Sequence, residues 1–92
     1  MKALVLLKIT SGEVKEACSA LQKLKPVVES WALFGRYDAV AIIQAENLEE
    51  IGQIVTSEIQ PISGVIETVP CLIVEHTSLL KPEQQKEALD GT

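Results

Sequence analysis

One short pattern occurs twice in this sequence, and that repetition limits the fold more than any single residue does. Val27-Val28-Glu29-Ser30 follows a helical stretch ended by Pro26, and Val65-Ile66-Glu67-Thr68 follows a second one ended by Pro61. Proline ends a helix because it lacks a backbone N–H and its ring clashes with the preceding turn. Each copy therefore reads as strand, helix, strand. Crossovers between parallel strands are right-handed. Two such halves in tandem put the first and third strands at the centre of one sheet and the second and fourth at its edges.

The elements can be read in turn. Residues 3–9 form a first strand, apolar on both faces except at Lys8, which suits a central position. Thr10 and Glu13 have capping-box spacing, with Ser11 an equal candidate for the cap. Val14, Cys18, Leu21 and Leu24 then recur at helical spacing, with Ala17 beside them. Lys23 and Lys25 suit the negative end of that helix. Val27 to Phe34 reads as the second strand, Gly35-Arg36 as a tight turn, and Tyr37 to Ala45 as the third strand. Asn47 and Glu50 form a second capping box and open a helix with Leu48, Ile51, Ile54, Val55 and Ile59 on one side. Pro61-Ile62-Ser63-Gly64 closes it, and Val65 to Val74 is the fourth strand. Pro70 inside that strand requires an edge position, where its missing donor is tolerated. The expected fold is an α+β, ferredoxin-like βαββαβ sandwich: an antiparallel four-stranded sheet with two helices on one face. Residues 1–76 are expected to form this domain. Residues 77–92 form a C-terminal tail, in which Pro82 is placed to start a short helix that either docks on a neighbour or frays.

Such a sheet leaves one face without helices. With 47% hydrophobic but only 3% aromatic residues among 92, that face is also aliphatic. A domain of this size buries only about 60–65% of the surface its unfolded chain exposes. A second copy packed face to face, making a dimeric α/β barrel, is the simplest cover for an apolar patch of that kind. Cys18 and Cys71 belong to no CxxC pair and are expected to be buried free thiols. His76 stands alone, so no cofactor or metal site is expected. Lys8 interrupts the apolar start, which reads as a strand and not as a signal core. No apolar run reaches membrane-spanning length. The sequence thus points to a reduced, cytoplasmic protein. Its net charge of −5 disfavours direct contact with nucleic acid.

The turn Gly35-Arg36-Tyr37-Asp38 is the cluster best suited to chemistry. Glycine permits close backbone approach, Arg36 can hold a carboxylate in a bidentate fork, and Asp38 can accept from an ammonium group. Together they fit a free α-amino acid. The alternative is an ordinary hairpin turn in which Asp38 accepts backbone amides and Arg36 is solvated. His76 has no nucleophile partner in any recognised spacing. Glu29 and Glu67, equivalent in the repeat, read as solvated edge charges that discourage strand pairing more readily than as an acid–base pair. Trp31 is expected at an interface.

Around this turn the chain resembles a known family. Gly35-Arg36-Tyr37-Asp38, then Ala39-Val40-Ala41-Ile42-Ile43, Leu48-Glu49-Glu50-Ile51, Ile62-Ser63-Gly64-Val65 and Glu67-Thr68, is similar to the effector-binding domain of the Lrp/AsnC transcription regulators, over about residues 3–75. The resemblance implies face-to-face dimers, rings of dimers, and small effectors, often amino acids, bound between dimers. On this chain it implies Gly35, Tyr37 and Asp38 in the turn, with Glu67 and Thr68 on the last strand, as ligand-binding residues. Arg36 occupies the variable position of the motif. A full regulator carries a helix-turn-helix ahead of this domain. Here the first strand begins at Ala3, so the chain is expected to be a stand-alone effector domain, a homo-oligomeric sensor able to modulate a full-length regulator of the same family. Two other readings are a small cofactor-independent enzyme of the dimeric-barrel type and a purely structural subunit. The enzyme would need a polar pocket, whereas the strand residues available to line one are aliphatic.

Overall fold

A computed structural model describes residues 1–74 of the chain. The predicted tail at 77–92 lies outside the described residues. Strand β1 (Lys2–Ile9) is followed by helix α1 (Val14–Gln22), strands β2 (Val27–Ala32) and β3 (Ala39–Gln44), helix α2 (Leu48–Ile54) continued by a π-helical turn (Val55–Ile59), and strand β4 (Val65–Ile73). The sheet order is β2-β3-β1-β4 and every pairing is antiparallel, so the predicted topology forms with β1 and β3 central.

The alternation of β1 sorts its residues into two layers. Ala3, Val5, Leu7 and Ile9 face the helices and are buried. With Ala39, Ala41 and Ile43 of β3 and Ala17, Leu21, Ile51, Ile54, Val55 and Ile59 of the helices, they make an entirely apolar core. Leu4 and Leu6 point the other way. They stand in register with Ile42 and Val40 on β3 and with Cys71 and Val69 on β4. Trp31, opposite Val40, extends the patch onto β2 and is 53% exposed. Lys8 and Glu67 mark one end of this face, Lys2 and Gln44 the other. An apolar centre with a polar rim is how protein interfaces are built.

Both edge strands carry an irregularity at the same place in the repeat. Val27 pairs with Ile43 and Glu29 with Ile42, which leaves Val28 as an extra residue. Val65 pairs with Ile9 and Glu67 with Lys8, which leaves Ile66 extra. These are β-bulges, each adding one residue and bending its strand. They let Val27 and Val65 pack on the core while Val28 and Ile66 stay exposed.

Several local expectations need correction. The capping box at Thr10 and Glu13 does not form: α1 starts at Val14 without a side-chain cap. The Thr10 amide donates instead to the Gly64 carbonyl at 2.7 Å, which ties this segment to the approach to β4. Glu13 lies against that same segment, where its Oε1 accepts a long contact from Ser63 at 3.4 Å. Helix α1 ends at Gln22, so Lys23 and Lys25 lie beyond its last turn, although Leu24 still packs on the core. The second capping box does form at Asn47, whose Oδ1 accepts from the Glu50 amide at 2.8 Å. The reciprocal bond is displaced by one residue, from the Glu46 amide to Glu50 Oε2 at 3.0 Å. Cys18 is half-buried and Cys71 lies exposed on the open sheet face, so the thiols are free but neither is fully buried.

Leu7 is fully buried between the central strands and the helices. Leu7→Ala is expected to cost about 2–5 kcal/mol, measured by urea denaturation at fixed chain concentration. Leu4→Ala, on the open face, should cost clearly less wherever that face is uncovered.

Candidate functional site

The connection between β2 and β3 runs over residues 33–38 and is held at several points. The Leu33 amide donates to the Asp38 carbonyl at 2.9 Å, closing the hairpin. The Asp38 amide donates to the Leu7 carbonyl at 2.8 Å. The Asp38 side chain then accepts from the Ile9 amide through Oδ2, also at 2.8 Å. That amide lies at the break in β1–β4 register between Lys8 and Ile9. One carboxylate thus fastens the turn to the end of the central strand. Lys8 adds a bond from Nζ to the Arg36 carbonyl at 3.1 Å.

Of the predicted site residues, Gly35 and Arg36 are exposed, and Tyr37 and Asp38 are half-buried. The Arg36 guanidinium carbon stands 6.0 Å from the Tyr37 ring centroid, at the outer limit of a cation–π contact. Arg36 is otherwise exposed. Glu67 is in register with Lys8 and so lies at the turn's end of the sheet. Thr68, the next residue, leaves β4 on the opposite face, where its Oγ1 accepts from Gln60 Nε2 at 3.2 Å. The structure brings the turn and Glu67 to one end of the sheet and does not bring Thr68 to them. Asp38 partly fulfils the plain hairpin reading, since one carboxylate oxygen is committed to a backbone amide.

The charge of Asp38 is felt beyond the turn. The Cys18 thiol is pushed above its ordinary pKa, mainly by burial and secondarily by the Asp38 carboxylate. Both effects disfavour the thiolate, so Cys18 has none of the electropositive surroundings of a reactive cysteine. Among the described residues, no three His, Cys, Asp or Glu side chains come together as a metal site. No helix among them is long and apolar enough to cross a membrane.

Two features were not anticipated. Phe34, read as a strand residue, stands fully exposed in the turn beside Gly35. Its signal was an aromatic residue next to a predicted turn, in a chain with one Phe, one Trp and one Tyr. The second feature is a groove of about 330 Å³ between α2 and β4, lined by Leu48, Ile51, Val55, Thr56, Pro70 and Leu72, among others. No periodicity in the sequence marks it, because it arises where α2 fails to cover the edge strand.

Comparison with known proteins gives a consistent picture. The family model for the Lrp/AsnC ligand-binding domain matches residues 2–78. The HTH-type transcriptional regulator Ptr1 of Methanocaldococcus jannaschii is 32% identical over 63 residues, covering 68% of this chain and 43% of the relative. The chain thus spans less than half the length of that curated relative. Among solved structures, TTHA0845 from Thermus thermophilus superposes with a TM-score of 0.78 at 29% identity, covering 83% of this chain and 95% of that one. The transcriptional regulator NMB0573 of Neisseria meningitidis, solved as a complex with L-Met, has a TM-score of 0.71 at 19% identity, covering 87% of this chain and 55% of that one. At that identity it supports the fold alone.

Removing a hydrogen-bond partner from a backbone amide costs about 1–3 kcal/mol when the amide is left unsatisfied. Asp38→Ala is therefore expected to destabilise the protein by about that amount, while Asp38→Asn, which keeps an acceptor for Ile9, should cost less. Thermal or urea unfolding of the two variants distinguishes them. Equal losses would mean that the carboxylate charge, not the bond to Ile9, holds the turn.

Proposed function

This chain belongs to the Lrp/AsnC family through its ligand-binding domain, and on that premise we propose that it is an oligomeric sensor of a free amino acid. The family is one of regulatory ligand-binding domains and not of enzymes. The observation that carries the finer reading is the turn at residues 35–38: it is rigidly fastened to β1, yet leaves Arg36 exposed beside an acidic residue. An α-amino acid carries an ammonium and a carboxylate a few ångströms apart. Arg36 and the backbone amides of the turn supply donors for the carboxylate. Asp38 supplies a charge for the ammonium through the oxygen not bound to Ile9, and Glu67 adds a second. The L-Met complex of the structurally similar NMB0573 is in keeping with such a ligand.

A single copy leaves this site open to water, where an ion pair is worth at most about 1 kcal/mol. Assembly changes that. Two copies joined through the open faces of their sheets would cover Leu4, Leu6, Trp31 and Cys71. Further dimers meeting at the turns, with Phe34 as an apolar contact, would form a ring and shield the ligand. Ligand and ring would then favour each other, since linkage is reciprocal. Thr68, directed to the helix side of β4, reaches a ligand only if a neighbouring copy approaches from that side. The chain, at net charge −5, acts in the cytoplasm without touching nucleic acid itself and modulates transcription through a regulator of the same family.

Calorimetry against the twenty amino acids tests this reading. At least one is expected to bind, and Asp38→Asn, which preserves the turn, is expected to weaken it about tenfold, or 1.4 kcal/mol. Silence with every amino acid, or equal affinity in the two proteins, would remove the proposal. The assembly has its own measurement. Cys71 is expected to resist alkylation at micromolar chain concentration and to react in Leu6→Glu, which light scattering should show as a monomer.

A further inference from the structure

The groove between α2 and β4 lies on the helix side of the sheet, away from the open face and the turn. Its walls are Leu48, Ile51 and Val55 on the helix and Pro70 and Leu72 on the strand. Leu48 is 57% exposed and Leu72 is 49% exposed, so the groove is an apolar surface that the described residues leave uncovered. The long edge strand creates it. Two helices sit over four strands, and β4 carries Thr68, Pro70 and Leu72 toward the helix layer, opposite Leu7, Val5 and Ala3.

We propose that the groove is the docking site of the chain's own C-terminal segment, with Leu79 and Leu80 as its anchors. Two observations point to this occupant. The first is position. The chain leaves β4 at Ile73, one residue past Leu72, at the end of the groove where Leu48 begins α2. Four residues, 75–78, separate Val74 from Leu79, and connections of that length commonly reverse a chain. The second is composition. Residues 75–92 are mostly polar, with Leu79-Leu80 and Ala88-Leu89 the aliphatic exceptions, and Leu79-Leu80 is the pair nearer the groove along the chain. The family match ends at residue 78, so Leu79 and Leu80 lie outside the matched domain.

A tether this short makes the effective concentration of the segment millimolar, well above that of a second copy's tail at micromolar chain. Docking would bury the exposed halves of Leu48 and Leu72 and cover the outer side of α2.

The test uses the full chain. With Thr56→Cys on the groove and Lys81→Cys on the tail, in a Cys18→Ala/Cys71→Ser background, a short bifunctional thiol reagent is expected to close a link within one chain. In parallel, chymotryptic cleavage at Leu79-Leu80 is expected to be at least tenfold faster in Leu48→Asp/Leu72→Asp than in the unaltered chain. Both substituted positions are exposed, so the variant is expected to fold, which circular dichroism checks. A link joining two chains would overturn the proposal in favour of a second copy's tail. Failure to link, or equal cleavage rates, would overturn it by showing that the groove does not hold this segment.

Discussion

Strand β1 pairs along nearly its whole length with β3 on one side and β4 on the other, and everything else in the domain depends on that double pairing. Its alternate residues Ala3, Val5, Leu7 and Ile9 are the floor on which both helices rest. Its far end is where the β2–β3 connection is fastened, because the Leu7 carbonyl and the Ile9 amide are both taken by Asp38. The same strand therefore determines the core, the sheet order and the placement of the turn. A strand with this much apolar surface has two faces to place: the helices cover one, and the other is left as the apolar face of the sheet.

The two halves of the chain are alike in more than element order. The extra residue of each bulge, Val28 and Ile66, occupies the same place in the repeated sequence. In each case a residue that would otherwise shift the register is pushed outward, and the preceding valine is kept in the core. The halves differ in their helices. The first ends plainly at Gln22, while the second passes into a π-helical turn closed by the Gln60 amide on the Val55 carbonyl at 2.8 Å. That wider turn ends with Ile59 fully buried and Gln60 bonded to Thr68 across the groove. The groove belongs to the second half alone.

At the turn one residue joins two segments of the chain. Asp38 holds the turn to β1 through a carboxylate oxygen on the Ile9 amide and through its own amide on the Leu7 carbonyl. Under the proposed function, its other oxygen is the one left for a ligand. Lys8 adds a tie from the β1 side, since it lies in register with Glu67 and bonds to the Arg36 carbonyl.

The order of the strands, the edge position of β4 and the aliphatic character of both sheet faces were all legible in the sequence. Period-two alternation, the repeated Val-Val/Ile-Glu pattern and Pro70 report local backbone preference and nearest-neighbour burial, which a linear reading can follow. The cap at Asn47 was legible for the same reason. The cap at Thr10 was not, because its amide is bonded to Gly64, in a distant part of the chain. The engagement of Asp38 with Ile9, the separation of Glu67 from Thr68 on opposite faces, the exposure of Phe34 and the groove beside α2 all depend on which segments meet across the sheet. Sequence alone determined which stretches are strands and helices and which sides are apolar. The tertiary structure decided which polar groups remain free, because backbone amides from distant segments compete for the same side-chain oxygens.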